Sequence, residues 1–205
     1  MTVETWVKHD GLDTDKQENA VLIEKGNDGW ELELQTESSN GGSAGEPKVE
    51  FDLGVFGDLT STKGIPKDEW THVVARYDGT QMAIYINGEL AGSKSESSDI
   101  SNDGDEDVHI GVGPSEQSQF FDGQMDEIRV WDRALSVGEI QSNSFAELDG
   151  TEDDLLAYYP VDADASDLAD KAGSNDLSIT EGITGFPQKV TSADALPVAP
   201  YTHAT

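Results

Sequence analysis

The side chains that could do chemistry in this sequence are carboxylates, amides and four histidines, because the chain contains no cysteine. Disulfides, thiolate zinc sites and cysteine nucleophiles are therefore excluded. The most suggestive polar group lies in residues 120–140, where Asp122, Asp126 and Glu127 precede Arg129. What such a group can do depends on the elements that hold it.

The same stretch predicts a kinked strand that leads into a short helix. Its apolar residues do not keep the strict period of two of a regular half-buried strand; they are Met125, Ile128, Val130 and Leu135. We expect a kink near Asp126 and Glu127. Ser136 and Glu139 have the spacing of a capping box, in which each side chain binds the backbone N–H of the other residue. The helix is expected near residues 137–147.

Charge is the most unusual property of the chain: 12 Lys and Arg residues stand against 42 Asp and Glu residues, and the formal net charge is -30. Such a surface repels nucleic acid and anionic membranes, so neither is an expected partner. Four tryptophans and regular strand patterns favour a packed domain over a disordered acidic chain. Salt relieves repulsion of this size, so the composition predicts a protein of an extreme halophile, or of a virus of one.

The first residues alternate as a strand would, and no apolar stretch has the length of a secretory signal core or a membrane span. If the chain is a whole gene product, we expect no signal peptide and no membrane insertion, which suits a virion that leaves its host by lysis. If the chain is a fragment, a longer exported protein is the alternative.

Two β-hairpins are predicted between residues 70 and 92. Asp78-Gly79 and Asn87-Gly88 each separate two apolar strand patterns, and both dipeptides accept the positive φ angles of tight hairpin turns. Residues 55–68 are less regular and are expected to form a long connection. At 205 residues the chain has the length of one all-β domain.

Two blocks carry a resemblance to a known family: WTHVVARYDG…IYINGELAG in residues 70–92 and GQMDEIRVWDRAL in residues 123–135. Their order resembles that of laminin-G-like domains of the concanavalin A-like lectin/glucanase fold. The resemblance implies an all-β, antiparallel two-sheet jelly-roll sandwich with one short helix near residues 137–147.

The carboxy-terminal part resembles the beginning of such a module, with LLAYYPVD in residues 155–162 and DKAGSNDL in residues 170–177. Either a second repeat is truncated, or residues 154–180 fold back and supply the strand usually found first. We favour the second account, a permuted domain over residues 1–180, because an unpaired sheet edge is costly. Residues 181–205 contain three prolines and few core residues, and are expected to form an extended tail.

A structural calcium ion at the rim of the sandwich is what the resemblance implies, and oxygen-rich loops suit that ion. Carried over by position, its ligands would be Asp126, Asn175 and Asp176, with Asp122 as a weaker choice. The competing interpretation is that Asp126 satisfies backbone N–H groups at the strand kink.

Catalysis is not expected. Glycosidases need two carboxylates that face each other across a cleft, and on this fold the acids alternate along one strand. Residues 122–127 do not keep that alternation. The histidines stand in no triad pattern; they are His9, His72, His109 and His203.

Glycan binding is the function that the resemblance implies. Sugars stack on aromatic side chains and hydrogen-bond to carboxylates and amides. The candidate platforms are Trp30, Phe120, Phe121 and Tyr159, although each of them also suits the core. We therefore expect a non-catalytic recognition or adhesion module in a hypersaline setting, on a virion surface or fibre. It would contact a surface glycan or glycoprotein and other virion or surface proteins. A homo-oligomer is one possible form of the module.

The halophile hypothesis predicts that the folded state needs salt. We expect the circular dichroism of the strands to be lost when the protein is dialysed from molar KCl or NaCl into water, because the acidic surface is then unscreened. A full β-sheet spectrum in water alone would contradict the hypothesis.

Overall fold

The computed structural model of the protein describes residues 1–12, 19–26, 29–36, 42–43, 45–54, 57–97, 100, 107–113, 119–161 and 169–177. The predicted tail, residues 181–205, lies outside this part of the chain. Among the described residues, no helix has the length and apolar character needed to cross a bilayer.

Eleven strands and one helix make up the described fold. In chain order they are β1 (Thr2–His9), β2 (Asn19–Lys25), β3 (Trp30–Gln35), β4 (Lys48–Asp52), β5 (Asp58–Gly64), β6 (Thr71–Tyr77), β7 (Gln81–Ile86), β8 (Glu89–Ser95), β9 (Val108–Ile110), β10 (Gly123–Trp131), α1 (Val137–Asn143) and β11 (Leu155–Tyr159).

The strands form two antiparallel sheets. The six-stranded sheet has the order β11-β10-β1-β6-β7-β8, and the five-stranded sheet has the order β5-β4-β3-β2-β9. Successive residues of a strand point to opposite faces of its sheet. The apolar side chains on the facing sides of the two sheets form the core, where Val7, Leu34, Phe51 and Ile84 are completely buried. The predicted all-β, two-sheet sandwich with one short helix is confirmed.

Two boundary predictions were wrong. Residues 55–68 contain the strand β5, which was missed because its buried positions are Leu59 and the polar Ser61. The Ser61 hydroxyl accepts a 3.0 Å hydrogen bond from the backbone N–H of Val49, beside a register shift between β4 and β5. The helix has the predicted capping box but ends at Asn143 rather than at residue 147.

The predicted kink in β10 is a β-bulge. Glu4 pairs with Arg129 and Trp6 with Asp126, so one residue of β1 faces two residues of β10. Glu127, the first of those two, has a φ of 52°, a left-handed conformation that favours glycine. The bulge turns the side chains of Glu127 and Arg129 to the same outer face, where both are buried.

A second buried layer covers the outer face of the six-stranded sheet. Trp131, Leu135, Ile140 and Tyr158 belong to an apolar cluster that joins β10, α1 and β11. Beside this cluster, the Arg129 guanidinium contacts the carboxylate of Glu127 and lies 3.4 Å from that of Glu4.

The same guanidinium binds the end of the helix and the segment after it. It donates hydrogen bonds to the carbonyl oxygens of Asn143 and Ala146. The Asn143 carbonyl oxygen also accepts the N–H of Ala146 at 3.1 Å, in a tight turn that follows the helix. The segment after α1 is thereby tied to the sheet.

The strand β11 is the edge of the six-stranded sheet and pairs with β10, from Ile128 opposite Tyr159 to Trp131 opposite Leu155. The interpretation of residues 154–180 as the permuted first strand of a domain over residues 1–180 stays a prediction.

Candidate functional site

A cleft opens between the two sheets, where β10 and β11 face β2 and β9. Its volume is about 810 Å³, within the range of about 300–1,000 Å³ of small-molecule sites. Apolar side chains of both sheets form the cleft floor, which we define as Ile23, Ile110, Ile128 and Ala157. The floor reaches the core, since Ile23, Ile128 and Ala157 are only 0%, 3% and 9% exposed.

Polar side chains surround the opening, which we call the mouth: Lys25, Asp107, His109, Asp132, Asn175 and Asp176. Four of these residues are exposed, His109 and Lys25 being half-buried. The Nδ1 atom of His109 lies 2.7 Å from the carboxylate of Glu24. The opening therefore offers hydrogen-bonding groups beside the exposed apolar side chains of Val108 and Leu156, which also line the cleft.

Two of the four predicted aromatic platforms line the cleft. Trp30 and Tyr159 belong to the core and are 6% and 5% exposed. Burial raises the pKa of Tyr159 to about 12, and its hydroxyl donates a 2.6 Å hydrogen bond to the carbonyl oxygen of Asn175. Phe121 is buried in the core, and Phe120 does not line the cleft.

A loop tied together by Asp170 forms one side of the mouth. The buried Asp170 carboxylate accepts hydrogen bonds from the backbone N–H groups of Tyr158, Ala172 and Asn175, at 3.0, 2.9 and 3.2 Å. Burial disfavours the charge of Asp170, but these donors outweigh burial and lower its pKa.

The same loop caps the free edge of β11. Asp170 takes the N–H of Tyr158, while the N–H of Lys171 donates to the carbonyl oxygen of Tyr158 at 2.9 Å. The two groups occupy the positions of a further strand and block pairing with another chain there. Sequence analysis missed this role of Asp170, although Asp170 opens the DKAGSND pattern.

Two of the four predicted calcium ligands line the cleft. Asn175 and Asp176 lie at the mouth, whereas Asp126 and Asp122 do not line the cleft. One oxygen of Asp126 accepts the backbone N–H of Glu127 at 2.8 Å, as the competing interpretation proposed. Asp122 is exposed before β10.

Among the described residues, no three acidic or histidine side chains converge in a group that could hold a metal ion. One oxygen of Asp176 already accepts the backbone N–H of Asp170 at 3.0 Å. Calcium stays a prediction, and the arrangement of these residues adds no support to it.

A second polar group, the carboxyl rows, lies on the outer face of the five-stranded sheet. Strand register places Asp58, Asp52, Glu31, Glu24 and His109 in one row, and Thr60, Glu50 and Glu33 in the next. Sequence analysis sought alternating acids in residues 122–127 and missed those of β3. The signal was the alternation of Glu31, Glu33 and Gln35 in WELELQ.

Hydrogen bonds join the second row. The Nε2 atom of Gln35 donates to Glu33 at 2.5 Å and also to Glu50. Asn19 donates to the other oxygen of Glu33 at 2.7 Å, and Thr60 to the other oxygen of Glu50 at 2.8 Å. Each oxygen of these two carboxyl groups thus has an amide or hydroxyl partner, and Glu33 also interacts with the neighbouring carboxyl group of Glu31.

Burial and neighbouring acids keep these groups protonated far above their ordinary range. Burial, followed by the charge of Glu31, raises the pKa of Glu33 to about 8. Burial also raises the pKa of Glu50 to about 7, against the hydrogen bond from Thr60 and with help from the charge of Glu33. Carboxyl groups on this face therefore stay protonated at a pH where exposed glutamates are ionised.

The fold and the cleft define a class of protein, the jelly-roll β-sandwiches. The chain belongs to the Concanavalin A-like lectin/glucanases superfamily, whose family model matches residues 1–141. The match includes both blocks on which the sequence resemblance rests, and it ends before β11. No curated protein matches the chain.

Solved structures share the fold. A protein of Bacteroides ovatus ATCC 8483, assigned to carbohydrate binding by inference, has a TM-score of 0.70 at 22% identity, over 85% of this chain and 50% of that chain. Domain 4 of AbnA, a GH43 extracellular arabinanase of Geobacillus stearothermophilus in complex with arabinotriose, has a TM-score of 0.52 at 21% identity, over 69% and 65%. The CBM40 of the Ruminococcus gnavus IT-sialidase, bound to α2,3 sialyllactose, has a TM-score of 0.50 at 19% identity, over 69% of this chain and 80% of that chain.

These identities show a common fold and no more. The chain spans half the length of the Bacteroides protein, so the activity of any whole protein of this kind is a matter for proposal.

The carboxyl rows predict a stability that falls as pH rises. The pKa of folded Glu33 lies above the ordinary value of 4.5, so its contribution is present below about pH 4.5 and is lost as pH rises through about 8. We expect the melting temperature in molar NaCl to fall by roughly 3 °C or more from pH 6 to pH 9, and Glu33→Gln to flatten the profile.

The matched control is Glu89→Gln, an exposed glutamate of β8, which should keep the profile of the unaltered protein. Histidines and the amino terminus also titrate between pH 6 and pH 9, so the contribution of Glu33 is the difference between the slopes of Glu33→Gln and Glu89→Gln. An unchanged slope in Glu33→Gln would show that the rows do not hold the proton.

Proposed function

We propose that this chain is a non-catalytic glycan-recognition or adhesion module and that the cleft is its binding site. The observation that carries the proposal is the cleft itself, in which an apolar floor lies beneath a mouth of carboxylates, an amide and an imidazole. The shared fold is a second support, because its solved members include domains with arabinotriose and sialyllactose bound.

The chemistry of the mouth suits a sugar. Carboxylates accept hydrogen bonds from the hydroxyl groups of a sugar, and a carboxamide both accepts and donates them. Asp107, Asp132 and Asn175 are exposed and can make such bonds. Asp170 and Tyr159 hold the loop that carries Asn175, so this part of the mouth is ordered before a ligand arrives. Preorganisation of this kind reduces the entropy lost on binding.

The setting we propose is a surface in a hypersaline environment, most simply a virion surface or fibre component of a halophile virus. The net charge of -30 supports the hypersaline setting, because salt screens the repulsion among the acidic side chains. A fragment of an exported archaeal or bacterial surface protein is the alternative. Genes for capsid or tail proteins next to the gene of this chain would favour the virion setting. The absence of such genes, together with an export signal in the adjoining sequence, would favour the exported surface protein.

The partners we propose are a surface glycan or glycoprotein and other proteins of the same surface. A structural calcium ion and a homo-oligomeric assembly belong to the same proposal. Binding measured with added calcium and with a chelator tests the ion, and light scattering in molar salt tests the assembly.

A glycoside hydrolase is the second candidate, and one observation favours it. Glu33 and Glu50 are direct cross-strand neighbours on one sheet face, and a hydrolase needs one protonated and one ionised carboxyl group close together. A reducing-sugar assay in molar salt tests this candidate. Release of sugar that is lost in Glu33→Gln would establish it.

A glycan array in molar salt tests the proposed function. We expect a limited set of glycans to bind, and Asp107→Ala and Asp132→Ala each to weaken binding about tenfold, because each removes a hydrogen-bonding group of the mouth. Asp153→Ala, an exposed acid that does not line the cleft, is the control and should bind as the unaltered protein does. No binding to any glycan, or unchanged binding by both mouth variants, would contradict the proposal.

A further inference from the structure

The surface around α1 carries exposed apolar side chains that do not belong to the cleft. Five large apolar side chains of the described residues are exposed, and two of them, Val108 and Leu156, line the cleft. The other three are Leu90, Val137 and Phe145, which are 59%, 46% and 54% exposed. We define these three as the α1 patch. Adjacent exposed apolar side chains mark interaction sites, whereas single ones are ordinary.

The members of the α1 patch lie next to one another. Val137 opens α1 and Phe145 follows its end, with Gln141 halfway between them, and residues four apart share one side of a helix. The Gln141 side chain donates a 3.2 Å hydrogen bond to the backbone of the turn before β8. Leu90 of β8 pairs with Tyr85, a member of the outer cluster beneath α1, and directly paired residues share a sheet face. The patch therefore runs along α1 and onto the start of β8.

Phe145 is held in its exposed position by the residues on either side of it. The Ser144 carbonyl oxygen accepts a 3.1 Å hydrogen bond from Nε1 of Trp6, and the Ala146 carbonyl oxygen accepts one from Arg129. Both donors are buried, so the backbone around Phe145 is fixed to the sheet. An aromatic side chain on an ordered backbone loses little entropy on binding, and such residues anchor interfaces.

The same face carries almost no charge, although 26% of the chain is charged. Residues 134–146 contain one charged side chain, Glu139, whose carboxylate lies 2.8 Å from Arg133. Gly138 and Ser142 are small, neutral and exposed. A Cβ atom added at Gly138 would meet nothing within 4 Å in the part of the chain that the structure describes. The face is therefore open to close approach.

A neutral apolar face suits a partner that is as acidic as this chain. A cationic partner would gain more from the acidic surface elsewhere, whereas two copies of net charge -30 repel each other wherever their carboxylates meet. At the α1 patch two copies can touch without that cost, and molar salt screens the remaining repulsion. The cores of protein interfaces are likewise depleted of charged residues and enriched in aromatic ones.

We propose that a second copy of this chain binds the α1 patch in a two-fold symmetric dimer. A two-fold interface joins the same patch of both copies, so the α1 helices run antiparallel. Gln141 and Ser142 then lie near the axis, and Phe145 packs against the partner's Val137. The proposal names the surface of the homo-oligomeric assembly in the proposed function. It does not depend on glycan binding, because no residue of the patch lines the cleft.

Analytical ultracentrifugation in molar NaCl tests the proposal. We expect the unaltered protein to form a dimer and Phe145→Glu to raise the dissociation constant at least about tenfold, because it removes an aromatic anchor and brings carboxylates together. The control is Leu156→Glu, at a 50% exposed residue outside the patch, which should keep the dimer. A monomer up to millimolar concentration, a dimer unaffected by Phe145→Glu, or a dimer lost only in Leu156→Glu would overturn the proposal.

A cross-link tests the position of the axis. The chain contains no cysteine, so Ser142→Cys gives each copy one thiol near the axis, where a disulfide can form. We expect mild oxidation in molar NaCl to yield a covalent dimer at least about tenfold faster than in Ser97→Cys, an exposed serine outside the patch. Equal rates in the two variants would overturn the proposed surface.

The glycan array separates this inference from the proposed function. Phe145→Glu should bind each soluble glycan as the unaltered protein does, because the cleft is unchanged. A dimer that binds no glycan would refute the proposed function alone. Glycan binding by a protein that stays monomeric would refute this inference alone.

Discussion

The buried Arg129 guanidinium is the interaction on which the rest of the structure depends. It is 1% exposed and contacts the carboxylates of Glu4 in β1 and Glu127 in β10. It also donates to the carbonyl oxygens of Asn143, at the end of α1, and of Ala146, just after it. Its guanidinium carbon lies 5.2 Å from the ring centre of Tyr158 in β11. Four parts of the fold, β1, β10, the end of α1 and β11, thus meet at one cation. An unpaired buried charge in this place would cost about 3–5 kcal/mol.

The same strand connects this cation to the cleft. Since side chains alternate along β10, Arg129 points to the outer layer while Ile128 and Val130 point inward and line the cleft. The bulge at Glu127 sets which residues face which side. Fixing β10 and β11 from outside therefore fixes one wall of the proposed binding site, and the Asp170 loop then places part of its mouth.

Local patterns made much of the fold predictable. The Asp78-Gly79 and Asn87-Gly88 turns, the capping box at Ser136 and the irregular spacing of β10 all lie within a few residues of the structure they specify. The strand β5 was missed because Ser61 takes an apolar position. The cleft depends on strands distant in sequence, so no single stretch indicates it, whereas the alternation of Glu31, Glu33 and Gln35 in β3 did indicate part of the carboxyl rows.

The candidate site was predicted only in part, for the same reason. Trp30, Tyr159, Asn175 and Asp176 were each named in advance, and the structure brings all four to one cleft. Asp126 was grouped with Asn175 by analogy, whereas the bulge uses its carboxylate for the backbone of Glu127. Residue types indicated the chemistry, and only the packing of the two sheets showed which residues share a place.

Amide hydrogen exchange in Arg129→Met tests most directly whether this cation fixes the β10–β11 wall. The control is Arg133→Met, because Arg133 is 34% exposed and pairs with Glu139 at 2.8 Å on the surface, where such pairs contribute little. We predict that the β11 amides of Arg129→Met exchange at least about tenfold faster than those of Arg133→Met. Exchange of the β11 amides at the same rate in both variants would contradict the account.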